Sequence, residues 1–171
     1  EEYYNGENVI FSDLPLIKGV QNMNCQKEST IAGLLRAKEL GYDRALKIRS
    51  DMWVKNADLF FSKLTDGYNT LMWVEYHGGY LTDYWMEDSI ENLLKLWDVP
   101  TQGPFPERIL TNKIINLGWI ERVNLLLSYL DGEDLDIFWN KRNNSYWQNI
   151  LNKEDQYKTN ETWKRNDFIN L

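Results

Sequence analysis

Hydrophobic and polar positions follow one another in blocks, and each block has the period of one type of secondary structure. After residues 22–26, apolar residues recur at helix spacing up to Gly41, which ends this predicted helix. These apolar positions are Ile31, Leu34, Leu35 and Ala37. An apolar strand pattern then begins at Ala45 and runs into the carboxylate of Asp51. In an open α/β sheet, ligands gather beyond the carboxyl ends of strands, so Asp51 stands where a metal or a sugar phosphate is expected.

The rest of the chain continues as alternating elements. Further strands are predicted at residues 8–13 (short and buried), 70–76, 81–86 and 135–139. Helices are predicted after Asn56, after a capping box of Asp88 with Glu91, and over residues 106–117 up to Gly118. Residues 119–130 are an apolar run that fits either a helix or a strand. Strands that alternate with helices favour an α/β layered domain.

The length of the chain predicts a single domain. A chain of 171 residues can bury a sizeable core but is too short for two ordinary domains. We expect one domain over residues 1–151. Residues 152–171 are polar and lack a core period, which is typical of a frayed helix or a surface arm.

The most specific stretch is residues 22–54, NMNCQKESTIAGLLRAKELGYDRALKIRSDMWV. It resembles the donor-binding half of GT-A nucleotide-sugar glycosyltransferases. More closely, it is similar to the WavE-type lipopolysaccharide-synthesis family, whose members carry an Asn-x-Asn-x-Gln stretch, a Gly-Leu pair in the helix and a strand that ends in Arg-Ser-Asp. The likeness continues through LTDYWMEDSIENLLKLWDVP and FPERILTNKI, and more weakly through DIFWNKRNNSYWQNIL.

The resemblance implies a GT-A-like, Rossmann-related domain with a mixed central sheet flanked by helices. GT-A domains normally start with an earlier strand and helix that hold the nucleotide base, and this piece is absent here. We therefore expect a fragment of a longer protein or a trimmed domain. The implied function is transfer of a sugar from a nucleotide-sugar donor to a glycan or lipid-linked glycan acceptor, in surface polysaccharide or lipopolysaccharide synthesis. The alternative is a non-catalytic carbohydrate-binding or scaffold domain with a degenerate GT-A fold.

Two residues at the end of the predicted strand are candidates for donor binding. By the resemblance, Asp51 corresponds to the last acid of the Asp-x-Asp signature, which holds Mn²⁺ or Mg²⁺ against the diphosphate; such cations prefer oxygen ligands. Arg49 stands where the first acid is normally found. Its guanidinium fits phosphate oxygens bidentately, so it either contacts the donor diphosphate or pairs with Asp51 or a neighbouring acid.

Two amide side chains stand at the entry to the predicted helix. Asn24 and Gln26 can both donate and accept hydrogen bonds, and a helix N-terminus favours an anion. A sugar or phosphate of the donor could bind there, whereas the alternative for Asn24 is helix capping. Cys25 between them is expected to be a small buried residue.

An inverting transfer needs a base, and two carboxylates are candidates. Asp83 lies in the aromatic segment 80–85, where partial burial would raise its pKa towards a useful range. Glu107 follows Pro106 at a helix start, where the helix dipole would keep its pKa low. Since a low pKa makes a weaker base, Asp83 ranks first.

Composition narrows the possible partners. The net charge of −7 argues against nucleic acid, which is bound mainly through Lys and Arg. A single Cys cannot form an internal disulfide, so the chain is suited to a reducing compartment or is indifferent to redox. The expected location is the cytoplasm or the inner face of its membrane. No apolar run is long enough to span a bilayer, so any membrane association would be peripheral. His77 is the only histidine, and it is expected to be a turn residue rather than a metal ligand. Eight Trp and ten Tyr would serve both a core and stacking on sugar rings.

Overall fold

The computed structural model of the chain describes residues 9–49, 52–54, 57–71, 73–74, 80–100, 102–126, 137–139 and 157–158, the short segments 52–54, 73–74, 137–139 and 157–158 as backbone. The helices of this part are α1 (Met23–Glu39), α2 (Ala57–Ser62), α3 (Ile90–Trp97) and α4 (Pro106–Asn116). Its strands are β1 (Arg44–Ile48), β2 (Met52–Val54), β3 (Tyr68–Thr70), β4 (Trp73–Val74), β5 (Tyr80–Leu81), β6 (Trp85–Ser89), β7 (Val123–Leu125), β8 (Ile137–Trp139) and β9 (Tyr157–Lys158). Short 3-10 turns lie at Val20–Asn22 and Ile120–Arg122.

The largest described sheet is mixed. Its strand order is β1-β6-β3-β7, with β6 antiparallel to both of its neighbours and β3 parallel to β7. Two smaller antiparallel groups pair β2 with β8, and β4 with both β5 and β9. The predicted α/β class, a mixed sheet flanked by helices, is confirmed.

One face of the four-stranded sheet carries the main hydrophobic core. The strand register pairs Lys47 with Met86, and Met86 with Thr70, so these three side chains point to the same face. Every second residue of each strand points to this face as well. The core continues into α3 through residues with essentially no exposed surface, which are Ile90, Leu93, Leu96 and Trp97. Helix α1 packs on α3 and α1 also contacts β1, so both helices cover this face near β1.

The other face carries a row of polar side chains, in which Asn69, Glu87 and Asn124 are buried and Arg44 reaches solvent. Asn69 donates from Nδ2 to Glu87 at 2.6 Å and accepts from Asn124 at 2.7 Å, and Arg44 donates to both carboxylate oxygens of Glu87 at 2.7 and 2.9 Å. These residues belong to four neighbouring strands. Since a one-residue slip would break every contact, the row helps to fix the register of the sheet. On the same face, Phe60 of α2 packs against Trp85 at 5.0 Å between ring centroids.

The helix predicted to end at Gly41 begins earlier than expected. α1 already starts at Met23, and Gly41 has φ +85°, a conformation that glycine adopts without strain. Leu34 is buried, whereas the neighbouring Leu35 is 48% exposed. Apolar character therefore located the helix but overstated the width of its buried face.

Three other predictions are wrong in part. Residues 9–13 form no strand, and Phe11 is 89% exposed; an apolar run makes a strand only where a partner strand is available, and no described strand pairs with it. The strand expected at 81–86 is two strands, β5 and β6, separated by residues 82–84. The cap of α3 is Ser89, not Asp88: the Ser89 hydroxyl accepts a hydrogen bond from the backbone N–H of Asn92, while the Asp88 carboxylate is held by Arg122 at 2.9 Å.

Other boundaries agree closely with the pattern. α4 ends at Asn116 and is followed by Gly118 with φ +67°, as predicted. The strand expected at 135–139 is present as β8, and the ambiguous run from residue 119 begins with a 3-10 turn and β7. The predicted cap Asn56 and most of the tail after residue 152 lie outside the described residues.

Candidate functional site

A cleft of about 950 Å³ separates one face of α1 from β1, beside the start of α4. α1 contributes mainly small and polar side chains, and β1 contributes residues 45–48 together with Arg49, which follows the strand. Because β1 is an outer strand of the described sheet order, the cleft opens along the edge of the sheet. Four of the predicted site residues line it: Gln26, Arg49, Asp83 and Glu107. These residues are far apart in sequence, and the fold brings them to one surface.

Lys47 and Asp83 form a buried ion pair in this cleft. The Lys47 ammonium lies 3.6 Å from Asp83 Oδ2, and the two side chains are only 12% and 1% exposed. The same ammonium donates to the backbone carbonyl of Asp83 and lies 5.4 Å from the centre of the Trp97 ring. Burial lowers the pKa of Lys47, while the charge of Asp83 opposes this shift.

Asp83 reaches the cleft from a bend, not from the aromatic strand that the sequence predicted. Residues 82–84 connect β5 to β6, and Lys47 on β1 holds the bend from the neighbouring strand. Asp83 Oδ1 is buried and accepts no hydrogen bond from the described residues. This carboxylate therefore has one oxygen engaged with a cation and one oxygen unpaired.

Arg49 lies immediately beyond the end of β1. Its backbone N–H donates to Tyr84 O at 3.3 Å, which continues the pairing of β1 with the chain before β6. Its guanidinium lies 5.2 Å from the centre of the Tyr84 ring, a distance that allows a cation–π contact. Both contacts place a permanent positive charge at the carboxyl end of the strand.

Glu107 lies in the first turn of α4, directly after Pro106 at the first helical position. Burial raises the pKa of the Glu107 carboxyl, and the nearby charge of Asp83 raises it further. The expectation of a low pKa at this helix start was therefore wrong. The helix dipole favours the ionised form by a modest amount, and here loss of hydration outweighs it.

The two amides of α1 have different environments. Asn24 is buried, donates from Nδ2 to Ile17 O at 2.7 Å, and does not line the cleft. Because α1 begins at Met23, Asn24 also cannot cap it, and its contact instead holds the segment before the helix. Gln26 does line the cleft, and its buried Oε1 accepts no hydrogen bond from the described residues. Cys25 between them is half-buried.

Sequence reasoning missed Lys47. Successive strand residues point to opposite faces, so the sequence places Lys47 on the face opposite the apolar Leu46 and Ile48, where a solvent-facing lysine is expected. In the structure its side chain is only 12% exposed; a buried lysine requires a partner, and Asp83 is that partner.

Asp51, the predicted metal ligand, and His77 lie outside the described residues. Within the described ranges, no three His, Cys, Asp or Glu side chains are grouped so that they could hold a metal ion. The carboxylates of the cleft are moreover accompanied by Lys47 and Arg49, whose charges oppose a second cation. The described part of the cleft alone therefore does not fit a divalent metal.

No described helix has the length and apolar character needed to cross a membrane. Comparisons with protein-family models, with curated proteins and with solved structures found no match for this chain.

Proposed function

We propose that the chain is a GT-A-type glycosyltransferase domain that transfers a sugar from a nucleotide-sugar donor to a glycan acceptor, as in surface polysaccharide or lipopolysaccharide synthesis. One observation supports it above the others: the cleft along β1 contains two basic side chains, Lys47 and Arg49, and two carboxylates, Asp83 and Glu107. Asp83 is paired with Lys47, whereas burial raises the pKa of Glu107. Glycosyl transfer needs positive charge at the leaving diphosphate and a base near the acceptor hydroxyl. The resemblance of residues 22–54 points in the same direction.

In this proposal Arg49 binds the donor diphosphate. A guanidinium can donate two parallel hydrogen bonds to phosphate oxygens and remains charged at any physiological pH. Its place beyond the end of β1 is the place at which α/β sheets bind ligands. Lys47 adds positive charge to the same cleft, although its ammonium is already engaged with Asp83.

Glu107 is the proposed base. In an inverting transfer, the acceptor oxygen forms a bond to the anomeric carbon as the bond to the diphosphate breaks, and Glu107 takes the hydroxyl proton. A carboxylate with a raised pKa is a stronger base than an ordinary one, and this favours Glu107. Asp83, the other candidate, has its charge partly neutralised by Lys47.

The place of Mn²⁺ or Mg²⁺ in the proposal depends on Asp51. When bound, such an ion would offset charge on the leaving diphosphate. The carboxylates of the described residues do not form a metal site by themselves. The replacement of the first acid by Arg49 is also what favours the second candidate, a carbohydrate-binding domain without activity.

The test is binding and hydrolysis of nucleotide sugars. Thermal unfolding is followed with UDP-glucose, UDP-N-acetylglucosamine and GDP-mannose, each with Mn²⁺ and with EDTA, and slow donor hydrolysis is measured in parallel. The proposal predicts stabilisation by at least one donor and release of its nucleotide. Stabilisation by free glycans alone would reject the transferase and support the binding domain.

Two variants locate the donor. Arg49→Met should reduce the donor-induced shift strongly, whereas Arg36→Met should not, since Arg36 is exposed on α1, outside the cleft lining, and pairs with Glu39. Asp51→Ala should remove the part of the shift that requires Mn²⁺. An unchanged donor-induced shift in Arg49→Met would show that Arg49 does not bind the donor diphosphate.

A further inference from the structure

Two buried acceptor atoms of the cleft have no hydrogen-bond donor among the described residues. They are Oδ1 of Asp83 and Oε1 of Gln26, and both side chains line the cleft. Asp83 is nearly fully buried, with 1% of its side chain exposed. An unpaired buried acceptor costs about 1–3 kcal/mol, so such atoms call for an explanation. A ligand that donates hydrogen bonds would supply the missing partners.

The charges around Asp83 decide which kind of ligand fits. Metal ions, ammonium groups and hydroxyl groups can all bind a carboxylate oxygen. Lys47 already lies 3.6 Å from the other oxygen of Asp83, and Arg49 lies at the end of the same strand, so a further cation would be repelled. A phosphate offers acceptors rather than donors. Neutral hydroxyl groups donate hydrogen bonds without adding positive charge, so they fit both conditions.

The wall of the cleft next to Gln26 fits a ligand with many hydroxyl groups. α1 presents there the small or polar residues Ser29, Thr30 and Gly33. A Cβ atom built on Gly33 would meet nothing within 4 Å, so this part of the wall borders open space. Pockets of roughly 300–1,000 Å³ hold ligands of drug size, and this cleft lies near the upper end of that range.

We infer that Gln26 Oε1 and Asp83 Oδ1 accept hydrogen bonds from sugar hydroxyl groups, so that they form the sugar-binding part of the cleft. Asp83 is then a binding residue, held in place by Lys47, and is not the base. The inference rests on the proposed function only for the attachment of this sugar to a nucleotide. It holds equally for a free glycan.

The experiment compares probes with and without a sugar. Titration calorimetry is carried out with UDP, GDP, UDP-glucose, UDP-N-acetylglucosamine and GDP-mannose, and with the methyl glycosides of the same sugars. Gln26→Met removes the acceptor while keeping a similar shape, and Gln102→Met is the matched control in an exposed loop outside the cleft lining. Gln26→Met should weaken the binding of the sugar-bearing probes by about five- to tenfold, the effect of one lost hydrogen bond, and leave the binding of UDP and GDP unchanged. Gln102→Met should change none of them.

A second variant and a metal probe complete the test. Asp83→Asn should weaken the same sugar-bearing probes, and Gln26→Met gives an independent answer if Asp83→Asn does not fold. If the wild-type protein binds methyl glycosides but no nucleotide, the inference stands and the proposed transferase fails. If Gln26→Met weakens the binding of nucleotides and of nucleotide sugars equally, or changes the binding of neither, the inference is overturned while donor binding stands. Mn²⁺ binding that is lost in Asp83→Asn would overturn it as well, and binding of no probe would reject both proposals.

Discussion

Replacing Lys47 with methionine would leave the Asp83 carboxylate buried without the ammonium that lies 3.6 Å from it. Methionine has a similar length and is apolar, so the change removes charge with little change of shape. The carboxylate has almost no exposed surface through which water could replace the lost partner. This variant therefore measures what the ion pair contributes to the cleft.

The size of the effect follows from the geometry. At 3.6 Å and an effective dielectric constant of about 20, the attraction between two unit charges is about 4–5 kcal/mol. Part of this is offset because the lysine itself no longer has to be dehydrated, a cost that is visible in its lowered pKa. We expect a net loss of about 3 kcal/mol in the free energy of unfolding, at the lower end of the range for removing one partner of a buried pair.

Urea unfolding at neutral pH provides the assay, and the m-values of the variants should equal that of the wild type. Lys27→Met is the matched control, because the Lys27 ammonium donates to the Val99 carbonyl at 2.7 Å, with no carboxylate partner described for it. It should cost about 1 kcal/mol, the value of one hydrogen bond. Adding Asp83→Asn to Lys47→Met should restore most of the lost stability.

Two results would refute this reasoning. A loss in Lys47→Met no greater than that in Lys27→Met would show that the pair contributes little. A double variant as unstable as the sum of its single changes would show that the two side chains act independently.

Further predictions concern stability and access to the cleft. The raised pKa of Glu107 means that the folded state binds its proton more tightly than the unfolded state, so this contribution is fully present below the unfolded pKa and is lost as pH rises through the folded pKa. Glu107→Gln should therefore be more stable than wild type at neutral pH and lose this advantage in acid, as urea unfolding across pH would show; equal curves would contradict it. Asn69→Leu removes the buried hydrogen bonds that join Asn69 to Glu87 and to Asn124, and should cost about 3 kcal/mol by the same method; a loss below about 1 kcal/mol would argue against the polar row. Gly33→Ala should stabilise α1 by about 0.5–1 kcal/mol, whereas Gly33→Phe should fold yet weaken binding of nucleotide sugars at least tenfold in calorimetry; unaffected binding would place the ligand elsewhere.

Local signals predicted the elements that depend on local chemistry. Gly41 and Gly118 correctly marked the ends of α1 and α4, because a helix end with positive φ favours glycine. The apolar period located α3, whose buried residues recur at helix spacing. The segment at residues 9–13 failed because strand formation depends on a partner that a local pattern does not reveal.

The residue types that line the cleft were predicted from the sequence more accurately than the burial and pKa of those residues. Gln26, Arg49, Asp83 and Glu107 were chosen for their chemistry, and all four line the cleft. The pKa of Glu107 was misjudged since its burial is set by tertiary packing, which outweighs the dipole of its own helix. The alternative of helix capping by Asn24 was wrong, because α1 already starts at Met23 and the Asn24 side chain instead bonds to Ile17; Asn24 does not line the cleft.

The central claim is that the cleft between α1 and β1 binds a nucleotide sugar, and hydrogen–deuterium exchange tests it most directly. Exchange is measured with and without saturating UDP-glucose, UDP-N-acetylglucosamine or GDP-mannose. The account predicts slower exchange in peptides that cover α1 and residues 44–49, with no change in α2, which packs on the opposite face of the sheet. No slowing with any of the three donors, or slowing confined to α2, would contradict it.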